Sequence, residues 1–208
     1  MDPAALRDDI AEATATELDD LGSDGLVAVL TDGADDDARA VLEATADSEV
    51  NALKTFSTWA DDAAGRDPEA AATFEAVADQ EADHRDRVLA AMDAPYDPEP
   101  GGAMHAFLRG LDGTVERVGA GMVGRSLASL RSHERLRRFF AARGDDERAR
   151  LFERLHEETA DTLDRGLAVL GERCDDEEAW RRARLPAEYV VQVAADEYEA
   201  AQVQLSEK

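Results

Sequence analysis

The sequence predicts an all-α protein organised as two long helical hairpins, and three observations carry that expectation. Nearly every segment repeats its apolar residues at helical spacing, and no run alternates apolar and polar residues as a strand would. Gly65-Arg66 and Gly144 interrupt long helical stretches where hairpins would turn, and one clear linker, Ala94 to Gly102, gathers three prolines and two glycines. The two halves also match each other without a gap: Phe74-Glu75 falls on Phe152-Glu153, Ala82-Asp83 on Ala160-Asp161, Asp86-Arg87 on Asp164-Arg165, and Leu89-Ala90 on Leu167-Ala168.

In order, a first helix is expected over Asp2 to Leu21, ending before Gly22, then a short piece over Asp24 to Leu30 before the Asp32-Gly33 turn. The second long helix is expected from about Asp35 to Ala64. Its apolar positions Leu42, Ala46, Leu53, Phe56 and Ala60 form one stripe, and Glu49 falls inside that stripe. Asp67 caps the next helix, with Pro68 at its first position and Glu69 early, where the helix dipole favours acid. On it Phe74, Val77, Ala78, Glu81, His84 and Val88 share a face. After the linker, a long helix over Thr114 to Ala142 carries Gly119, Gly121 and Gly124 near its start, permitting close helix contact. Asp145 or Asp146 caps a helix reaching Gly171, and Pro186 starts a final amphipathic helix, Ala187 to Leu205. The expected organisation is one domain over 1–208: a first hairpin (34–91), a crossover (92–112), a second hairpin (113–171) and a C-terminal helix (172–208).

The chain has 208 residues, 44% hydrophobic, with a formal net charge of -25. Acid is spread along its length, and Lys54 and Lys208 are the only lysines. This composition resembles that of proteins from salt-loving organisms. Such a charge favours self-repulsion at low ionic strength and disfavours nucleic acid or anionic membranes as partners, since no basic stripe offsets phosphate repulsion. Cys174 is the single cysteine, so neither a disulfide framework nor a Cys-x-x-Cys metal knuckle is available. Its acidic neighbours disfavour a thiolate. The start of the chain lacks a basic segment followed by an apolar run, and no stretch is apolar for long enough to cross a bilayer. A soluble cytoplasmic protein is the expectation.

The chemistry-bearing residues are Glu49, Glu81 and His84. Burying charge without a partner is costly, and an ion pair or a metal is the usual compensation. The midpoint between Glu49 and Glu81 is Gly65, the hairpin break, so both carboxylates are expected at one level. His84 lies three residues on, about 4.5 Å along the axis. Two Glu and one His converging between antiparallel helices make half of a carboxylate-bridged di-metal site. Two registers are open for the other half. Glu153-Arg-Leu-His156 is a second Glu-x-x-His, with Glu134 mirroring Glu153 across Gly144, whereas the repeat match instead puts Thr159 and Thr162 at the Glu81 and His84 positions. Glu81 and His84 can also pair with each other, with Arg85 or Arg87, or with an Arg of the other hairpin. His105 and His133 are expected to be structural or exposed.

Over about Asp35 to Gly171, the paired hairpins, the Glu49 to Glu81 spacing and Glu81-x-x-His84 resemble the ferritin-like superfamily, and within it the rubrerythrin-like proteins. That resemblance implies a ferritin-like four-helix bundle with extra terminal helices. It also implies a di-iron centre with one Glu and one Glu-x-x-His from each hairpin, here Glu49, Glu81, His84, Glu134, Glu153 and His156. The implied activity is that of a di-iron oxidoreductase of peroxidase or ferroxidase type, acting on oxygen or peroxide in oxidative stress. The additional four-cysteine iron site of rubrerythrins proper cannot be built from one cysteine. The alternative is a non-catalytic helical bundle that kept the fold, lost the metal and serves as an interaction or adaptor protein. The apolar face of the last helix, Tyr189, Val190, Val193, Ala194 and Tyr198, can pack on the bundle or on a second subunit, so a homodimer or another protein partner belongs to this expectation.

Overall fold

The computed structural model describes residues 1–34, 37–99 and 101–208. Among these every regular element is helical: α1 Pro3–Ala13, α2 Ala15–Leu21, α3 Asp24–Leu30, α4 Ala38–Ala63, α5 Pro68–Ala90, α6 Ala103–Arg109, α7 Thr114–Arg117, a π-helical segment Val118–Gly124, α8 Arg125–Ala142, α9 Asp146–Arg173 and α10 Glu177–Ser206. Asp35, the expected start of the second long helix, lies outside the described residues.

Aspartate starts most of the long elements. The carboxylates of Asp2, Asp37, Asp67, Asp145 and Asp176 each accept the backbone N–H three residues on, satisfying a donor that the first helical turn leaves free. α4 and α5 pack as one hairpin, and α8 and α9 as the other. Between them the core falls into two apolar clusters. Phe56, Trp59, Phe74, Met122 and Leu170 belong to the cluster nearer the hairpin turn of α4 and α5. Val41, Leu42, Val88, Phe140 and Phe152 belong to the one at the opposite end. The stretches of α4, α5, α8 and α9 that separate the clusters carry buried polar side chains, among them Glu49, Glu81, His84, Arg125, His133, Thr159 and Thr162.

The crossover is hung on one face of α4. Asp47, Asn51 and Thr55 recur every four residues and so share that face. Asp47 accepts the Tyr96 hydroxyl and the Glu99 N–H, Asn51 accepts the Gly101 N–H, and the Thr55 hydroxyl lies 3.2 Å from His105 Nδ1 on α6. This ties the crossover down along about two turns of α4.

Three expectations about the elements are corrected. The first helix is interrupted at Thr14, whose hydroxyl bonds back to the Ile10 carbonyl. Ala103–Arg109, masked in the sequence by the adjoining glycines, is helical. The last helix begins at Glu177, with Pro186 inside it. A proline in a helix interior removes one hydrogen bond and costs about 3 kcal/mol. Here the Asp176 cap and the burial of Trp180 and Ala183 hold the turns that precede it.

The expected glycine contacts are present. A Cβ on Gly119 would stand 2.2 Å from the Ala183 carbonyl oxygen, and one on Gly124 would stand 2.3 Å from that of Ala187, so α10 presses its backbone on this segment. Gly119→Ala is expected to lose about 1–3 kcal/mol by overpacking against backbone that cannot turn aside, read as a lower denaturant midpoint. An unchanged midpoint would mean that α10 shifts away freely. Val190, Val193 and Tyr198 of the last helix are buried within the chain, whereas Tyr189 is half exposed and meets Phe107 edge-on at 4.7 Å. No helix among the described residues is long and apolar enough to cross a membrane.

Candidate metal centre

Glu49 projects from α4, and Glu81 and His84 from α5, into the gap between the two apolar clusters, and all three are buried. One ligand atom from each lies within 4.8 Å of the other two, so this group can hold a metal ion. His84 Nδ1 is 3.8 Å from Glu49 Oε2 and 3.8 Å from Glu81 Oε2. That separation is too long for a hydrogen bond. It matches donors sharing one ion at about 2.1 Å from each.

The other ring nitrogen decides how His84 presents itself. Nε2 lies 2.7 Å from Glu158 Oε2, and Glu158 is held in turn by Arg87 Nη1 at 2.7 and 2.9 Å. A carboxylate can only accept, so Nε2 carries the proton, and in a neutral ring the lone pair is then on Nδ1, facing two carboxylates. Histidine metal ligands are oriented in this way by an outer carboxylate. A lone pair aimed at two anions is unfavourable unless a proton or a cation stands between them. Buried Glu49 Oε2 and His84 Nδ1 have no hydrogen-bond partner among the described residues.

Glu81 is differently placed. Arg125, on α8 and also buried, donates from Nη1 and Nη2 to its two carboxylate oxygens, both at 3.0 Å. This is the ion pair with an Arg of the other hairpin that the sequence leaves open. Burial raises Glu81, opposed by Arg125 and assisted by the Glu49 charge, to about 7. Glu49 is also opposed by burial, but the neighbouring charges of His84 and Arg125 hold it below the ordinary carboxylate value. His84 is raised, the carboxylates around it outweighing burial. Burial holds His133 down, to about 3, so its ring is neutral.

The second Glu-x-x-His does not join this group. Glu153 is exposed, and Glu134 is taken up by Arg137 and Arg138 on its own helix. Glu134 and half-buried His156 line a separate surface cavity together with Arg131 and Arg138. Thr159 and Thr162 instead face the interior, where Gln80 donates to the Thr162 hydroxyl at 2.9 Å. The residues present therefore fit one ion. Where the repeat would supply a second set of ligands there are two threonines, and the facing cation is the guanidinium of Arg125. His105 and His133 are both buried, so exposure is excluded for either. Cys174 is buried as well, and burial pushes its thiol up.

Arg125 and Glu158 complete the centre without having been singled out in the sequence, and His133, expected to be structural or exposed, lies buried beside Glu49. Arg125, Ser129, His133 and Leu136 lie at helical spacing, a faint signal of an inward stripe on α8. Glu158 carries no such signal, because its role comes from contact between hairpins. No family model, curated protein or solved structure matches this chain.

Proposed function

We propose that this protein is a ferritin-like helical bundle that binds a single iron ion through Glu49, Glu81 and His84 and handles oxygen or peroxide there. The observation that carries the reading is the buried, unpartnered pair of Glu49 Oε2 and His84 Nδ1, 3.8 Å apart, with Glu158 fixing the outer nitrogen of the ring. Two carboxylates and one imidazole suit a divalent first-row metal, and the resemblance to rubrerythrin-like proteins selects iron among these. Bound iron would supply electron exchange with a small oxidant at its open positions. The chain's residues set the conditions. Glu158 orients His84, Arg125 neutralises Glu81 so that a second cation is not required, and the apolar clusters on either side exclude water. A metal-free bundle is the second reading, favoured by the two-pronged Arg125 contact on Glu81.

The two readings separate on pH. Glu81, raised to about 7, and His84, also raised, both hold protons that an ion must displace. Affinity for Fe(II) under anaerobic conditions is expected to rise from pH 6 to pH 8, by about tenfold per pH unit for each proton released. Competition titration against a coloured chelator reads this directly. A flat profile, or no uptake at any pH, would rule the proposal out.

A further inference from the structure

Beside the metal centre is a second feature that the proposed function does not use. A half-open cavity of about 180 Å³ lies between α4 and α8 and is bordered by α2, α3 and α10. Its walls are mainly apolar, with Leu21, Leu26, Leu30 and Leu136 among them; Glu49, His133 and Thr45 line it as buried polar residues, and the Thr45 hydroxyl is already given to the Val41 carbonyl. Glu49 thus serves two neighbours with different oxygens. Oε2 faces His84, and Oε1 lies 3.9 Å from His133 Nε2. That gap is beyond hydrogen-bond length, and His133 Nδ1 is also buried without a partner among the described residues.

We propose that this cavity binds a small uncharged molecule with one hydroxyl on an apolar body, of about the size of phenol. A cavity of about 150 Å³ with aliphatic walls admits benzene, so the space suits one ring. A hydroxyl oxygen about 2.8 Å from each atom bridges a 3.9 Å gap between an imidazole nitrogen and a carboxylate oxygen. It accepts from the ring N–H and donates to the carboxylate, which neither a plain hydrocarbon nor a carboxylate ligand can do. An anion is further disfavoured by Glu49 and by the net charge of -25. This binding does not rest on the metal reading, since the cavity, Glu49 and His133 belong to the chain alone.

The test is isothermal titration of the full-length protein in high salt with phenol, benzene and benzoate, run as purified and again with EDTA. Phenol is expected to bind saturably in both arms, about tenfold or more tighter than benzene, with benzoate weakest. His133→Phe keeps an aromatic ring, somewhat larger, and removes the ring N–H, and phenol is then expected to bind no better than benzene. Ala128→Leu, which fills the cavity from α8, is expected to abolish binding by all three. NMR shifts of the His133 ring on adding phenol to the unmodified protein provide a readout independent of how the variants fold. Absence of saturable phenol binding, benzene binding equally well, or unchanged binding in Ala128→Leu would each overturn the proposal. None of these outcomes bears on iron uptake, which is measured separately.

Discussion

Arg125→Ala is expected to lose about 3–5 kcal/mol of folding stability, the cost of leaving one partner of a buried ion pair alone. The Arg125 and Glu81 side chains are only 4% and 3% exposed, and they meet through two hydrogen bonds of 3.0 Å. Without the guanidinium, Glu81 loses its buried cation and still faces Glu49, and desolvation already disfavours its charge. Arg125→Lys is expected to recover only part of the loss, because an ammonium cannot reproduce the fork. Denaturant unfolding in concentrated salt, where repulsion among the surface acids is screened, reads the difference. A loss below about 1 kcal/mol would place this pair with exposed salt bridges and remove the basis for treating Arg125 as the resident cation of the centre.

The second large effect concerns ligand loss. Glu49→Gln combined with His84→Ala is expected to reduce Fe(II) affinity by about a hundredfold or more, since it removes two of three donors and leaves the Arg125 pair intact. Glu158→Gln is expected to reduce it by about ten- to a hundredfold without touching the ion, because the amide no longer imposes the same tautomer and orientation on His84. Retained affinity in the double variant would mean that metal binds elsewhere. Equal affinity for Glu158→Gln and the unmodified chain would mean that the 2.7 Å contact with His84 does not orient the ring. Circular dichroism on each variant separates loss of metal from loss of fold.

The first half of the centre was legible in the sequence because helical spacing alone places it. Glu49 sits within the stripe of Leu42, Ala46 and Phe56, Glu81 and His84 sit among Phe74, Val77 and Val88, and the turn at Gly65 sets both carboxylates at one level. The repeat register likewise put Thr159 and Thr162 inward, where they are found buried. What escaped the sequence depends on how the hairpins face each other. Arg125 has only the faint mark of its helical spacing with Ser129, His133 and Leu136 to separate it from the many surface arginines, and its partner lies 44 residues away in the chain. Glu158 sits beside an inward threonine but reaches His84 and Arg87 only across the interface with α5. Pro186 misled for a related reason: the local rule that proline opens a helix was overridden by the burial of Trp180 and Ala183 against the rest of the chain. The Asp caps, by contrast, are purely local and were readable at α5 and α9.

The most direct measurement is the metal content of the unmodified protein after anaerobic loading with Fe(II) in high salt near pH 7.5 and removal of free metal. One iron per chain is the expected result, with Glu49, Glu81 and His84 as donors and Arg125 holding the place of a second cation. Two irons per chain, or none, would contradict it.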